Sequence, residues 1–154
     1  WGNLTSNSFT VNNGVRQGGI LSPRLFAIYI DDLSTALNGL GIGCCINNML
    51  INHLMYADDM VLIAPATAAL QLLLKECHKF GITHDMLFNP NKSAVMIFKN
   101  KNAIELNTPP FVLNNENIPV VEEYCYLGHI IDNKLNDERD ILRQRRKLYQ
   151  QGNA

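Results

Sequence analysis

The stretch His53-Leu54-Met55-Tyr56-Ala57-Asp58-Asp59-Met60-Val61-Leu62-Ile63-Ala64 decides how this chain is read. Two adjacent carboxylates separate two runs rich in Leu, Met, Val and Ile, each of strand length. The pattern predicts a β-hairpin with Asp58 and Asp59 in its tight turn, at the tip of a buried sheet. Burying two like charges side by side is costly unless a cation or strong donors compensate. Hard carboxylate oxygens at the end of rigid strands suit a Mg²⁺ ion that carries substrate phosphates. On the dipeptide alone a solvated Asp-Asp turn is the simpler reading, because Asp is a common turn residue.

Upstream lies Gly14-Val15-Arg16-Gln17-Gly18-Gly19-Ile20-Leu21-Ser22-Pro23, preceded by a short strand at Ser8 to Val11 and an Asn12-Asn13-Gly14 turn. Ser22 as N-cap and Pro23 at the first helical position predict a helix start. Leu25, Phe26, Tyr29, Ile30, Leu33 and Leu37 recur at helical spacing, with Gly39 and Gly41 ending the helix. A Gly-rich loop opening onto a helix favours phosphate. It is neither a Walker loop nor GxGxxG, and alone it is more often a tight turn. Asp31 and Asp32 are adjacent on that helix, so they diverge by about 100° and do not serve one metal.

Downstream of the loop, Ile42 to Ile46 reads as a strand, Asn47-Asn48 as a turn, and Met49 to Tyr56 as one strand entering the acidic pair. Leu70, Leu73, Leu74, Cys77 and Phe80 mark an amphipathic helix from Thr67, stopped by Gly81. His78 and His84 lack metal-ligand spacing. Asn89-Pro90-Asn91-Lys92-Ser93 leads into a strand at Ala94 to Phe98, and Lys99 to Pro110 is a polar loop. Phe111 to Leu113 and Ile118 to Val121 predict a hairpin around Asn114-Asn115. Tyr124 to Asp132 reads as a strand with Gly128 inside it. Asn136 or Asp137 caps a last helix bearing Arg139, Arg143, Arg145, Arg146 and Lys147, either a solvated face or a nucleic-acid contact.

The bulk properties are permissive. The 154 residues are 47% hydrophobic, enough for a core, and 13 basic against 14 acidic residues give no global electrostatic signature. The four cysteines (Cys44, Cys45, Cys77, Cys125) contain no CxxC and read as reduced thiols. No apolar run reaches the length of a membrane span, so no membrane partner is expected. Both ends look cut from a longer chain.

Taken in order, these landmarks resemble the palm of a reverse transcriptase of the non-LTR retrotransposon (LINE-like) type, over roughly Phe9 to Asp132. Gly14 to Pro23 looks like that family's Gln-Gly motif, Tyr56-Ala57-Asp58-Asp59 like its YxDD catalytic hairpin, Asn89 to Ser93 like its Lys-bearing motif, and Tyr126-Leu127-Gly128-His129-Ile130 like its primer grip. The resemblance implies an α+β polymerase palm, an antiparallel sheet with the YADD hairpin packed on two helices. Residues 1–132 would be partial palm with primer grip, and 133–154 the start of the thumb. Asp58 and Asp59 would be the catalytic metal ligands, for two Mg²⁺ ions with Mn²⁺ as an alternative. Arg16, Gln17, Gly18, Gly19 and Tyr56 would contact nucleotide, template and primer terminus. Lys92 would approach the triphosphate. Tyr126, Leu127 and Gly128 would hold the primer strand. The implied partners are an RNA template, a DNA primer, deoxynucleoside triphosphates, and the missing fingers and upstream palm of the same polyprotein. The implied setting is an intracellular ribonucleoprotein, in nucleus and cytoplasm.

One departure stands out. The family pattern has a further metal-binding Asp upstream of the Gln-Gly motif, and no residue from Trp1 to Asn13 is acidic. The 154 residues alone are therefore expected to bind metal weakly and not to polymerise. The competing reading is a decayed or domesticated remnant acting as a nucleic-acid-binding module. A nucleotidyl-cyclase-like palm is a third, opposed by the Gln-Gly and Tyr-Leu-Gly motifs.

Overall fold

The structure is a computed structural model that describes residues 7, 10, 14–99 and 108–152. The strand expected at 8–11 and loop residues 100–107 lie outside the described residues. The chain divides into two compact units, Trp1–Met86 and Leu87–Ala154.

The first unit runs α1 (Ser22–Gly39), β1 (Cys44–Ile46), β2 (Met49–Ile51), β3 (His53–Tyr56), β4 (Asp59–Leu62) and α2 (Thr67–Thr83). Its core is the meeting of the two helices: Leu33 and Leu37 of α1 and Leu73, Leu74, Cys77 and Phe80 of α2 are buried. Each such side chain contributes about 1.5–3 kcal/mol on leaving water. Tyr29 of α1 adds a polar tie, donating its hydroxyl to the His84 carbonyl while its ring meets the His84 ring edge-on at 5.8 Å.

Three local expectations change. Ser22 is not the N-cap; it is the first helical residue, after Leu21, and its hydroxyl turns back to the Arg16 carbonyl. Gly81 does not stop α2, which continues through it to Thr83 with Gly81 buried. The helix ends instead in a Schellman-type close: Asp85 takes φ +49° and the Met86 N–H bonds the Gly81 carbonyl at 2.9 Å. Met49 to Tyr56 is also not one strand. It breaks at Asn52, before which β2 pairs with β1 and after which β3 pairs with β4.

The second unit holds a 3₁₀ turn (Pro90–Lys92), β5 (Val95–Met96), β6 (Phe111–Leu113), β7 (Glu116–Ile118), β8 (Val120–Val121), β9 (Glu123–Tyr126), β10 (His129–Asp132) and α3 (Glu138–Gly152). Val95, Phe111, Leu113 and Ile118 form its core. The Asn114-Asn115 hairpin forms with both residues at positive φ, as a two-residue turn that matches strand twist requires. Its return strand ends at Ile118, because Pro119 has no N–H to give a ladder. The Pro119 carbonyl accepts from the Val95 N–H at 2.9 Å, and β8 then runs parallel to β5.

The fold class is thus α+β, with three helices among the described residues. Among the described residues, the single antiparallel sheet expected from sequence is replaced by five two-stranded pairs, four antiparallel and one, β5–β8, parallel. Among the described residues no helix is long and apolar enough to cross a membrane.

Candidate active site

Tyr56 pairs with Asp59, which leaves Ala57 and Asp58 as a two-residue turn. Ala57 occupies φ +52°, a left-handed conformation that costs an L-residue about 1–2 kcal/mol. The Asn47-Asn48 and Asn114-Asn115 turns use residues that tolerate such angles; this one does not. Backbone strain of this kind concentrates at functional sites. The tip is exposed rather than buried, which corrects the sequence expectation. His53 and Met55 face inward while Leu54 and Tyr56 face out, so a two-stranded hairpin covers only one side. Asp58 and Asp59 are both exposed and have no hydrogen-bond or ion-pair partner among the described residues. No group of three or more His, Cys, Asp or Glu there is arranged to hold a metal ion.

The Gln-Gly loop is a tight turn built from two glycines with different reasons to be glycine. The Gly19 N–H bonds the Arg16 carbonyl at 3.1 Å, and Gly18 takes φ +77° at the position where such a turn demands it. A Cβ at Gly19 would stand 2.6 Å from the Ser22 Oγ and 3.1 Å from the Arg16 carbonyl. Ser22 donates to that same carbonyl at 2.5 Å, so the first residue of α1 latches the loop. Arg16, Gln17 and Gly18 are left exposed. Beside them Arg16, Gly19, Leu21 and Leu25 line an open cleft of about 650 Å³.

In the second unit Lys92 closes the 3₁₀ turn, which Asn89 caps by accepting from the Asn91 N–H at 2.9 Å. The Lys92 side chain is exposed, and its carbonyl accepts from the Tyr124 hydroxyl at 2.9 Å. Tyr124 is on β9, so the Lys motif and the Tyr126-Leu127-Gly128 motif are joined directly. Sequence spacing gave no sign of this link. The second motif is also re-read: Leu127 and Gly128 are not inside a strand but form the turn of the β9–β10 hairpin, at φ +47° and +84°.

α3 is tied to this hairpin by a set of polar contacts, with no buried residue of its own. Asp140 accepts from the Ile130 N–H at 2.9 Å and pairs with His129 Nδ1 at 2.8 Å. The His129 hydrogen bond, then the Ile130 N–H, hold the Asp140 carboxyl below its ordinary pKa. Gln144 donates to the Gly128 carbonyl at 2.9 Å, Arg143 to Cys125 Sγ at 3.0 Å, and Arg139 pairs with Glu123. Arg139 and Arg143 are thus committed to the hairpin. Arg145, Arg146 and Lys147 are exposed and unpaired among the described residues.

Residues 2–131 match the family described as reverse transcriptase (RNA-dependent DNA polymerase). The chain is 32% identical over 139 residues to the RNA-directed DNA polymerase from mobile element jockey of Drosophila funebris, an alignment covering 85% of this chain and 14% of that protein. It is 31% identical over 130 residues to the Pol polyprotein from type-2 retrotransposable element R2DM of Drosophila melanogaster, covering 80% of this chain and 12% of that protein. A third relative, from type-1 retrotransposable element R2 of Popillia japonica, is 35% identical over 94 residues, 60% of this chain and 16% of that protein. No solved structure matches. The chain belongs to the reverse transcriptase family, of the non-LTR retrotransposon type. It spans a small part, 12–18%, of the curated relatives it matches.

Proposed function

We propose that this chain supplies palm elements of an RNA-directed DNA polymerase that extends a DNA primer on an RNA template. The observation that carries this reading is the Asp58-Asp59 pair, with both residues exposed at the tip of a strained two-residue hairpin, in a chain that matches the reverse transcriptase family. The donor chemistry fits a divalent ion, since Mg²⁺ is usually held by one or two carboxylates plus substrate phosphates. Asp58 would hold it, with Asp59 beside it. The chemistry such ions would supply there is charge stabilisation of the primer 3′-hydroxyl and of the leaving pyrophosphate.

The remaining work is positioning. The Arg16–Gly19 turn presents backbone and Gln17 to the incoming nucleotide and template, and Ser22 keeps that turn closed. Tyr56, 65% exposed and next to the turn, lies against the primer terminus. Lys92 offers a cation to the triphosphate. The Leu127-Gly128 turn grips the primer strand, braced by α3, whose unpaired Arg145, Arg146 and Lys147 meet the nucleic-acid backbone.

The test is deoxynucleotide incorporation on a primed RNA template with Mg²⁺, by the polypeptide of the reading frame in which these residues lie. Incorporation abolished by Asp58→Ala supports the reading. Salt-dependent RNA binding with no incorporation supports the non-enzymatic module instead. The expectation for residues 1–154 expressed alone is weak metal binding and no polymerisation, since no residue from Trp1 to Asn13 is acidic.

A further inference from the structure

Asn52 is the one buried polar residue of the described core, 1% exposed, and it stands where the chain passes from β2 into the acidic hairpin. Its side-chain Nδ2 donates to the Leu37 carbonyl near the end of α1 at 2.8 Å. Its Oδ1 lies 2.6 Å from His53 Nδ1, and its own carbonyl accepts from the Ile63 N–H at 2.8 Å. His53 Nε2 in turn lies 2.8 Å from the Ser34 Oγ on α1. The site is built to this residue: a Cβ on Gly43 would meet the Asn52 Cβ and the Ile51 carbonyl, each at 2.8 Å.

The direction of every hydrogen bond follows from its neighbour. A carbonyl accepts only, so the Asn52 amide must turn its NH₂ to Leu37. Oδ1 then accepts, which requires the proton on His53 Nδ1. In the neutral ring Nε2 accepts, so Ser34 donates. Burial lowers the His53 pKa, which favours that neutral ring.

We infer that Asn52, with His53, is a positioning residue that fixes the hairpin carrying Asp58 and Asp59 to α1, the helix whose other end carries the Arg16–Gly19 turn. α1 is a rigid rod of 18 residues with the Gln-Gly loop at its start and this clamp on its last turns. The catalytic role of the two ends rests on the polymerase reading above; the clamp itself does not.

The experiment uses the 154-residue chain, ¹⁵N-labelled and partly aligned. Residual dipolar couplings of 22–39 and 53–62 fit one alignment tensor in the wild type. In Asn52→Leu the hairpin loses that shared tensor, while α1 and α2 keep theirs. A merely structural role lowers the melting temperature and leaves the shared tensor intact, and that result overturns the inference. Should Asn52→Leu fail to fold, the wild-type ¹⁵N shifts of His53 decide: a neutral ring protonated on Nδ1 supports the clamp, and a ring protonated on Nε2 alone, or on both nitrogens at pH 7, overturns it. Mg²⁺-induced shifts at the Ala57–Asp59 amides report the metal role separately, so failure of the polymerase reading is distinguishable from failure of the clamp.

Discussion

Ala57→Gly should stabilise the chain, against the usual effect of glycine in a strand-rich segment. Ala57 sits at φ +52°. An L-residue there carries about 1–2 kcal/mol of steric cost, which glycine removes. Glycine adds back about 0.5–1 kcal/mol through the larger entropy of the unfolded chain. The net is about 0–1.5 kcal/mol of stabilisation. For a chain near 150 residues that raises the midpoint by up to about 6 °C. Thermal and urea unfolding of the 154-residue chain, followed by circular dichroism, reads it. Asn115→Gly is the control: Asn already tolerates its φ of +64°, so the gain there is smaller. A midpoint that falls in Ala57→Gly refutes the strained turn, since a residue at ordinary φ gains nothing from glycine. In an active polymerase the same variant loses rate while gaining stability, because the restraint on Asp58 is relaxed.

Gly43→Ala should destabilise by about 1–3 kcal/mol, because the added Cβ meets backbone and a Cβ that cannot rotate away; urea unfolding measures it. Thiol alkylation at pH 8 should modify exposed Cys45 and Cys125 first, whereas Cys77, whose thiol burial pushes up to about 12, should react only on unfolding. The Asp140 carboxyl has a lowered pKa in the folded chain, so its contribution is full above the ordinary carboxylate range and is lost as pH falls through the lowered value. Protection of the Ile130 amide against exchange, relative to its intrinsic rate, should therefore fall in acid, and Asp140→Asn should remove that acid-linked loss of protection.

The helices were legible because their apolar residues recur at the helical period: the stripe from Leu70 to Phe80 is buried but for Leu70, which is half-buried. The acidic hairpin was legible because two apolar runs flank a short polar break. Gly81 misled because a glycine inside a helix and one after it look alike in sequence; Asp85 took the left-handed position instead. Asn52 was invisible because its reason for breaking the strand, the Leu37 carbonyl, is 15 residues away. The Leu127-Gly128 turn was hidden by strand-forming residues on both sides, with only Gly128 as a signal. Exposure of the tip follows from pairing, which residue pattern alone does not fix.

The most direct measurement is deoxynucleotide incorporation on primed RNA with Mg²⁺, comparing wild type with Asp58→Ala in the polypeptide of the reading frame in which these residues lie. The expected result is template-dependent extension by the wild type and a loss of about 10³-fold or more in the variant, the scale of several kcal/mol of charge stabilisation. Extension by Asp58→Ala at the wild-type rate contradicts the assignment of the hairpin tip as the catalytic metal site.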